Sequence, residues 1–368
     1  EIMKRLRGPR GTKAHLGIVR EGIDETIYID VVRDKIPLNS VDAAFMVTPH
    51  TGLIRFSNFA ATTYDEVVEA IRKLKDQGMK NLILDVTQNG GGFLQAAAEI
   101  ASELLPKDDL IVYTQGRAIK PQEFLSRGGN AFQDGKVIVL VDEYSASAAE
   151  ILAGAVQDQD RGLVVGRRTF GKGLVQRPVD LPDGSMIRLT IAKYYTPSGR
   201  CIQKPYEKGK QQEYRMDVIN RFNHGELTNA DSIHFPDSLR FQTLKKGRTV
   251  YGGGGIMPDY FVPLDTTKNT SLYRQIVAKR ILVDANLRYL AKNRNKLKQK
   301  FPTFEDFRRN YKVPDDLIAN ILAEAKKALK DKYPKDEEQK TTELLRNMLR
   351  ALAARDLWDM NEYFAIIY

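Results

Sequence analysis

Residues 136–176 constrain this chain more than any other stretch. They open with an unbroken aliphatic run, Val137-Ile138-Val139-Leu140-Val141, which reads as a strand buried on both faces. A serine-rich turn follows, and Ala148, Ile151, Leu152, Ala155 and Val156 then recur at helical spacing. A second apolar strand is expected at 162–165, ahead of Gly171-Lys172-Gly173. Ser147 stands where the helix begins. A serine there is often an N-cap, but the same position offers free N–H groups and the positive end of the helix dipole to a developing negative charge. Lys172 has two readings as well, a surface turn or a lysine folded into a cleft between two glycines. Position alone favours the cap for Ser147, and for Lys172 it leaves both readings open.

The remainder of the chain supplies the frame. It has 368 residues and 42% hydrophobic content, enough for two or three domains with real cores. The formal charge is +10, yet acids and bases interleave, as in Glu69-Ala70-Ile71-Arg72-Lys73. The densest basic run, 292–300, reads as a solvated helix face, so no nucleic-acid partner is expected. With one cysteine, Cys201, no internal disulfide can form. The four histidines lack metal-ligand spacing, and neither a metal nor another cofactor is expected. No apolar run is long enough to span a bilayer, and no signal peptide is visible.

Residues 1–33 read as a fragment of a truncated or processed product: the end of a helix, a turn at 8–12, and strands at 15–19 and 26–32 joined at Glu21-Gly22. From Ser40 the pattern alternates. Strands are expected at 52–57, 81–86, 110–113, 137–141 and 162–165. Thr63-Tyr64-Asp65-Glu66 reads as a capping box opening a helix, and a further helix carries Leu94, Ala97, Ala98, Ala101, Leu104 and Leu105. Such alternation implies a largely parallel sheet with helices against it. Asp183-Gly184 signals a hairpin between strands at 175–181 and 186–195. Residues 203–250 are polar and irregular and read as a surface insertion. From about Ser271 helical periodicity takes over, with a capping pattern at Thr303-Phe304-Glu305-Asp306 and stripes at Ile318, Ile321, Leu322, Ala325, Leu329 and at Leu345, Met348, Leu349, Leu352.

Gly166-Arg167-Arg168-Thr169-Phe170-Gly171-Lys172 nearly spells a nucleotide-binding loop. The next residue should be serine or threonine and should open a helix. Instead Gly173 follows, and Leu174-Val175-Gln176-Arg177-Pro178 reads as extended. Both requirements fail, so a nucleotide-binding function is the weakest of the readings. No histidine stands near a serine in a triad motif. A serine can instead be activated by a lysine, provided that lysine is neutral, a state that burial favours.

Ser145-Ala146-Ser147-Ala148-Ala149-Glu150 and Thr169-Phe170-Gly171-Lys172-Gly173-Leu174-Val175-Gln176 together resemble the C-terminal processing peptidases, or tail-specific proteases, of family S41. Lys172 lies 25 residues after Ser147, and Gln176 four after that. Lys193-Tyr194-Tyr195-Thr196-Pro197-Ser198-Gly199-Arg200 and Ile256-Met257-Pro258-Asp259 carry the likeness further. Asp85-Val86-Thr87-Gln88-Asn89-Gly90-Gly91-Gly92 is similar to the family's Asp-Leu-Arg-x-Asn-Pro-Gly-Gly, with Thr87 for arginine and Gly90 for proline. The missing guanidinium either loosens the glycine loop or is compensated.

The resemblance implies a ClpP/crotonase-like α/β protease core over residues 34–265, a PDZ remnant over 1–33 and an all-α C-terminal domain over 266–368. It implies a serine endopeptidase that cuts proteins near their C-termini through an acyl-enzyme. Ser147 would be the nucleophile, not Ser145. Lys172 would be its base and Gln176 the residue that holds Lys172. Backbone N–H groups of Ala148 and of one glycine of the pair Gly91 and Gly92 would hold the oxyanion, and Asp158 is expected to be structural. Implied partners are protein or peptide substrates and a regulatory protein, in the bacterial cell envelope. The C-terminal helices suit either a homodimer contact or an internal brace. The rival reading is a catalytically silent peptide-binding scaffold.

Overall fold

A computed structural model of the chain describes residues 2–20, 23–36, 39–129, 131–330 and 332–368. The turn expected at Glu21-Gly22 lies outside the described residues. Two compact units emerge. One comprises residues 39–265, and the other joins the described residues of 1–38 with 266–368.

The chain starts with a short helix, α1 (Ile2–Leu6), and the antiparallel pair β1 (Lys13–Ile18) and β2 (Ile27–Val32). The larger unit then begins with β3 (Val41–Thr48), β4 (Thr51–Phe56), α2 (Thr63–Asp76), β5 (Asn81–Asp85) and α3 (Leu94–Ser102). It continues with β6 (Leu110–Gln115), β7 (Gln122–Leu125), β8 (Val137–Val141), α4 (Ala148–Asp158), β9 (Leu163–Gly166), β10 (Leu174–Asp180) and β11 (Met186–Tyr195). Helix α5 (Gln211–Asn223) and strands β12 (Arg240–Gln242), β13 (Thr249–Tyr251) and β14 (Tyr260–Phe261) complete it.

The main sheet runs β14-β9-β8-β5-β4-β3 and is parallel throughout except at β3, which pairs antiparallel with β4. The expected parallel sheet is therefore present, with an antiparallel edge strand that its period did not announce. Strand β6 does not join it. It lies in a second, antiparallel sheet of order β10-β11-β6-β7. Ile54, Leu82, Leu84, Val139 and Val164 share one face of the first sheet and are 2% exposed or less, whereas Ile83, Ile138 and Leu140 on the other face are only partly buried, so the burial on both faces expected of 137–141 is incomplete. Helix α4 is buried along its whole length, which explains its small residues: every side of it meets protein.

Two local expectations are corrected. Helix α2 begins at Thr63 rather than being capped by it. The Thr63 hydroxyl instead accepts from the Ala60 N–H and reaches Ser40, while the Glu66 carboxylate accepts from the N–H groups of Ser40 and Val41. Glu66 thus ties the strand entry to the helix. Residues 203–250 are not a purely superficial insertion. They carry the thirteen-residue α5, and Lys204, Arg221, Leu227, Thr243 and Val250 are buried.

The second unit holds α6 (Ser271–Ala278), α7 (Ile281–Lys300), α8 (Phe304–Asn310), α9 (Asp315–Leu329), α10 (Glu338–Leu357) and α11 (Met360–Ile367). Leu272, Ile276, Phe307, Ile321, Leu345 and Leu349 form its apolar centre. Thr303 caps α8 through the Asp306 N–H, as its pattern suggested. Among the described residues no helix is long and apolar enough to cross a membrane.

Candidate active site

Three neighbouring parallel strands explain why distant residues meet. β5, β8 and β9 lie side by side, so their carboxyl ends open on one edge of the sheet, where α/β proteins bind ligands. The glycine loop 86–92 leaves β5, the serine turn 142–147 leaves β8, and the lysine loop 167–173 leaves β9. The loops are then bonded to one another. Ala146 N–H donates to the Asn89 carbonyl (2.9 Å), and Gln88 donates to Asp142 through its backbone (3.0 Å) and its side chain (2.9 Å). Phe170 N–H donates to the Ser145 carbonyl (3.0 Å).

Ser147 is half-buried and lies at φ +58°, ψ −114°, a backbone region that costs a non-glycine residue about 1–3 kcal/mol. Such strain, on a strand-to-helix turn, lifts a serine into a cleft. Ser145, by contrast, is fully buried. Its hydroxyl donates to the Val86 carbonyl (2.7 Å) and accepts from the Asp142 N–H (2.9 Å), so it ties the turn together and faces no cleft. That is the physical ground for separating two serines that the sequence places two residues apart.

The strained turn is secured by Glu150, which is 0% exposed. One carboxylate oxygen accepts from the N–H of both Ser147 and Lys172, each at 2.8 Å. The other accepts from the Gly171 N–H (2.7 Å) and the Thr169 hydroxyl (2.6 Å). Burial pushes the Glu150 carboxyl above its usual range, against the pull of these donors. Tyr194, also buried, works from the opposite side. Its hydroxyl lies 3.1 Å from the Ser147 carbonyl and also bonds the Lys172 carbonyl. Burial, and then the charge of Glu150, hold the phenol well above its ordinary value, so it stays a donor. The peptide groups of Ser147 and Lys172 are thus clamped at both ends. Neither Glu150 nor Tyr194 was singled out from sequence, although Glu150 stands three residues after Ser147, the spacing of a capping box, and is the one polar residue in the first nine of α4.

A cleft of about 490 Å³ opens beside this clamp, lined by Ser147, Ala148, Gly92, Lys172 and Gln176 among others. Gly91 packs against the serine: a Cβ on it would fall 2.6 Å from the Ser147 Cβ and 2.9 Å from the Ala148 nitrogen. With φ at +93°, only glycine suits this approach. The Gly91 N–H is already engaged, donating to the Asn89 side chain at 2.9 Å. The N–H groups of Ala148 and Gly92 form no hydrogen bond to any described residue. Gln176 shares the cleft with Lys172, yet no hydrogen bond joins their side chains, nor Lys172 to the Ser147 hydroxyl.

Two further points of the sequence reading find physical answers. The guanidinium absent at Thr87 arrives from β4: Arg55 bonds Asp85, the Thr87 hydroxyl (2.7 Å) and the Thr87 carbonyl (3.3 Å). Asp158 is neither solvated nor a simple turn cap. It is fully buried, 2.7 Å from the equally buried Arg200, and accepts from the Ser198 N–H (3.0 Å).

The insertion supports the lysine loop from outside. Arg221 donates to the carbonyls of Arg168 (2.6 Å) and Thr169 (3.0 Å), and Glu226 pairs with Arg168. The Lys204 N–H donates to the Gly171 carbonyl (3.0 Å), and the Gln203 side chain accepts from the Gly173 N–H (2.8 Å). After Lys172 the chain enters β10 and not a helix, which agrees with the rejection of a nucleotide-binding loop.

A mixed α/β core whose serine turn, lysine loop and glycine loop open on one cleft is the class that fold and site define. Residues 50–211, which lie within the core unit, match the model of peptidase family S41. Residues 272–359 match a second model, of a family of unknown function. The carboxyl-terminal-processing protease of Synechocystis sp. (strain ATCC 27184 / PCC 6803 / Kazusa) is 42% identical over 207 residues, which is 55% of this chain and 48% of that protein. The carboxy-terminal processing protease CtpB of Bacillus subtilis (strain 168) is 35% identical over 225 residues, or 61% and 46% of the two chains. A solved photosystem II D1 C-terminal processing protease is 31% identical, with a TM-score of 0.41 over 53% of this chain and 54% of that one. The chain spans about half the length of the relatives it matches.

Proposed function

We propose that this chain is a serine endopeptidase that cleaves protein substrates near their C-termini. The observation that carries the reading is the single cleft in which Ser147, Lys172, Gln176, Ala148 and Gly92 meet, on a core homologous to S41 peptidases. The Ser147 hydroxyl attacks the scissile carbonyl while the Lys172 side chain takes its proton. Lys172 returns that proton to the leaving amine as the C–N bond breaks, leaving an acyl-enzyme. Water then attacks the ester, its proton passes to Lys172 and on to Ser147, and the acid product departs. The N–H groups of Ala148 and Gly92 hold the oxyanion, with Gly91 acting through its close packing. Gln176 positions the Lys172 ammonium.

The same reading makes β1 and β2 the remnant of a PDZ domain, in keeping with their antiparallel pairing. It leaves the C-terminal helices to serve either as a homodimer contact or as an internal brace, leaves room for a regulatory partner, and puts the protein in the bacterial cell envelope. Fractionation of cells expressing the full gene checks the last point, and sedimentation of the purified protein checks the dimer.

A silent scaffold is the second reading, favoured by one observation: no hydrogen bond joins Lys172 to Ser147. Catalytic hydrogen bonds are often long in unliganded enzymes and tighten on the substrate. Mass spectrometry of an unfolded protein incubated with the wild type and with Ser147→Ala separates the two. Cuts that vanish in the variant support the peptidase. An absence of cuts by the wild type, or equal cutting by both, removes it.

A further inference from the structure

A second cavity, of about 520 Å³, adjoins the cleft and shares Lys172, Leu174 and Gln176 with it. Its far wall is aromatic: Phe170 from the lysine loop, and Tyr206 and Tyr214 from the insertion. Nothing in the proposed chemistry uses these rings.

The wall is built and held. Phe170 and Tyr214 meet edge to face at 6.2 Å between centroids, and Tyr206 and Tyr214 at 5.7 Å. The Lys204 ammonium lies 3.8 Å from the Phe170 centroid and 4.2 Å from that of Tyr214, and it bonds the Tyr214 carbonyl (3.2 Å) and Asp217 (3.1 Å). That cation is committed to the rings and to α5. The Gln203 side chain is likewise committed, to the Gly173 N–H, the Lys204 carbonyl and the Tyr214 hydroxyl. What this leaves for a ligand is mainly ring face and the Leu174 side chain. Tyr206 is 55% exposed at this wall, apolar surface that a bound group can remove from water.

We propose that this cavity is a subsite for one large apolar side chain, aromatic or branched aliphatic, of the polypeptide lying in the Ser147 cleft. The inference rests on the peptidase reading and deepens it: the insertion at 203–250 selects the substrate. An extended peptide alternates its side chains between opposite faces, so a backbone running past Ser147 can send one side chain over the Lys172–Gln176 edge into the aromatic wall. The occupant is an apolar side chain, since Phe170, Tyr206, Tyr214 and Leu174 offer it ring face and aliphatic surface.

The test uses a peptide that the wild type cuts, varied to Phe, Leu, Asp or Ala at each of three positions on either side of the cut. At one position, kcat/KM for Phe and Leu is expected to exceed that for Ala and Asp by about 10-fold or more, the range of a filled apolar pocket. Tyr206→Ala should collapse that ratio toward one, and Thr190→Trp, which fills the cavity from β11, should reverse it in favour of Ala. In parallel, fluorescence anisotropy with Ser147→Ala protein should rank the same peptides in the same order by Kd. Ser147-dependent cutting with ratios that neither substitution moves, and with equal Kd values, overturns the subsite while leaving the peptidase intact. Cutting that persists in Ser147→Ala overturns the peptidase reading, and the anisotropy arm then still decides the pocket.

Discussion

The serine turn and the lysine loop reach the same cleft by different means. The turn is fixed inside the core. Ser145, Asp142, Asn89 and Glu150 occupy its polar groups, and Ser147 is forced to a positive φ that only such a network sustains. The lysine loop is fixed through its backbone and through the side chains of Thr169 and Arg168, by Glu150 and Tyr194 on the inside and by Arg221, Glu226, Lys204 and Gln203 of the insertion on the outside. The Lys172 side chain makes no hydrogen bond to any described residue. On the proposed reading the nucleophile, Ser147, is preset in position, while the base, Lys172, is oriented only when a substrate arrives. A site built this way can be assembled by its ligand without moving either loop.

Substitutions can break this contrast in order of effect. Ser147→Ala should lower kcat/KM on an unfolded protein by about 10⁴-fold or more, and Lys172→Ala by a similar factor, since residues acting as one unit fail together. Both should melt within a few degrees of the wild type, because neither side chain carries the fold. Glu150→Ala should differ in kind. It leaves buried donors from four residues without an acceptor, so it should cost about 3 kcal/mol or more, read in urea unfolding, with activity lost as well. If Glu150→Ala keeps wild-type stability, the clamp is not what holds the turn. Gln176→Ala should reduce kcat about 10-fold with no change in stability, roughly the worth of one hydrogen bond formed only in the working state. The smallest effect is expected of Tyr194→Phe, which removes one hydroxyl shared by two carbonyls: about 1 kcal/mol of stability, read in urea unfolding.

The same contrast shows what a sequence can reveal. Strands β5, β8 and β9 were legible because each is written as a short unbroken apolar run between turn residues. The hairpin of β10 and β11 was legible because Asp183-Gly184 leaves few other conformations. Strand β3 was not, since Val41-Asp42-Ala43-Ala44-Phe45-Met46 keeps no clean alternation, and β7 is a short polar edge. Helix α5 has no apolar stripe because ionic and aromatic contacts of Lys204, Tyr214 and Arg221 hold it, and such contacts have no period. At the site, motif spacing singled out Ser147, Lys172 and Gln176. Glu150 hid within a small-residue helix, and Arg55 stands on a different strand from the loop it supports, so no local pattern connects it to Thr87.

Labelling with a peptidyl phosphonate, followed by peptide mapping, tests most directly whether Ser147 is a nucleophile activated by Lys172. A single adduct on Ser147 is expected, absent in Ser147→Ala and formed at least about 100-fold more slowly in Lys172→Ala, the usual worth of a positioned base. An adduct on Ser145 or elsewhere, or labelling of Ser147 at the same rate without Lys172, would contradict it.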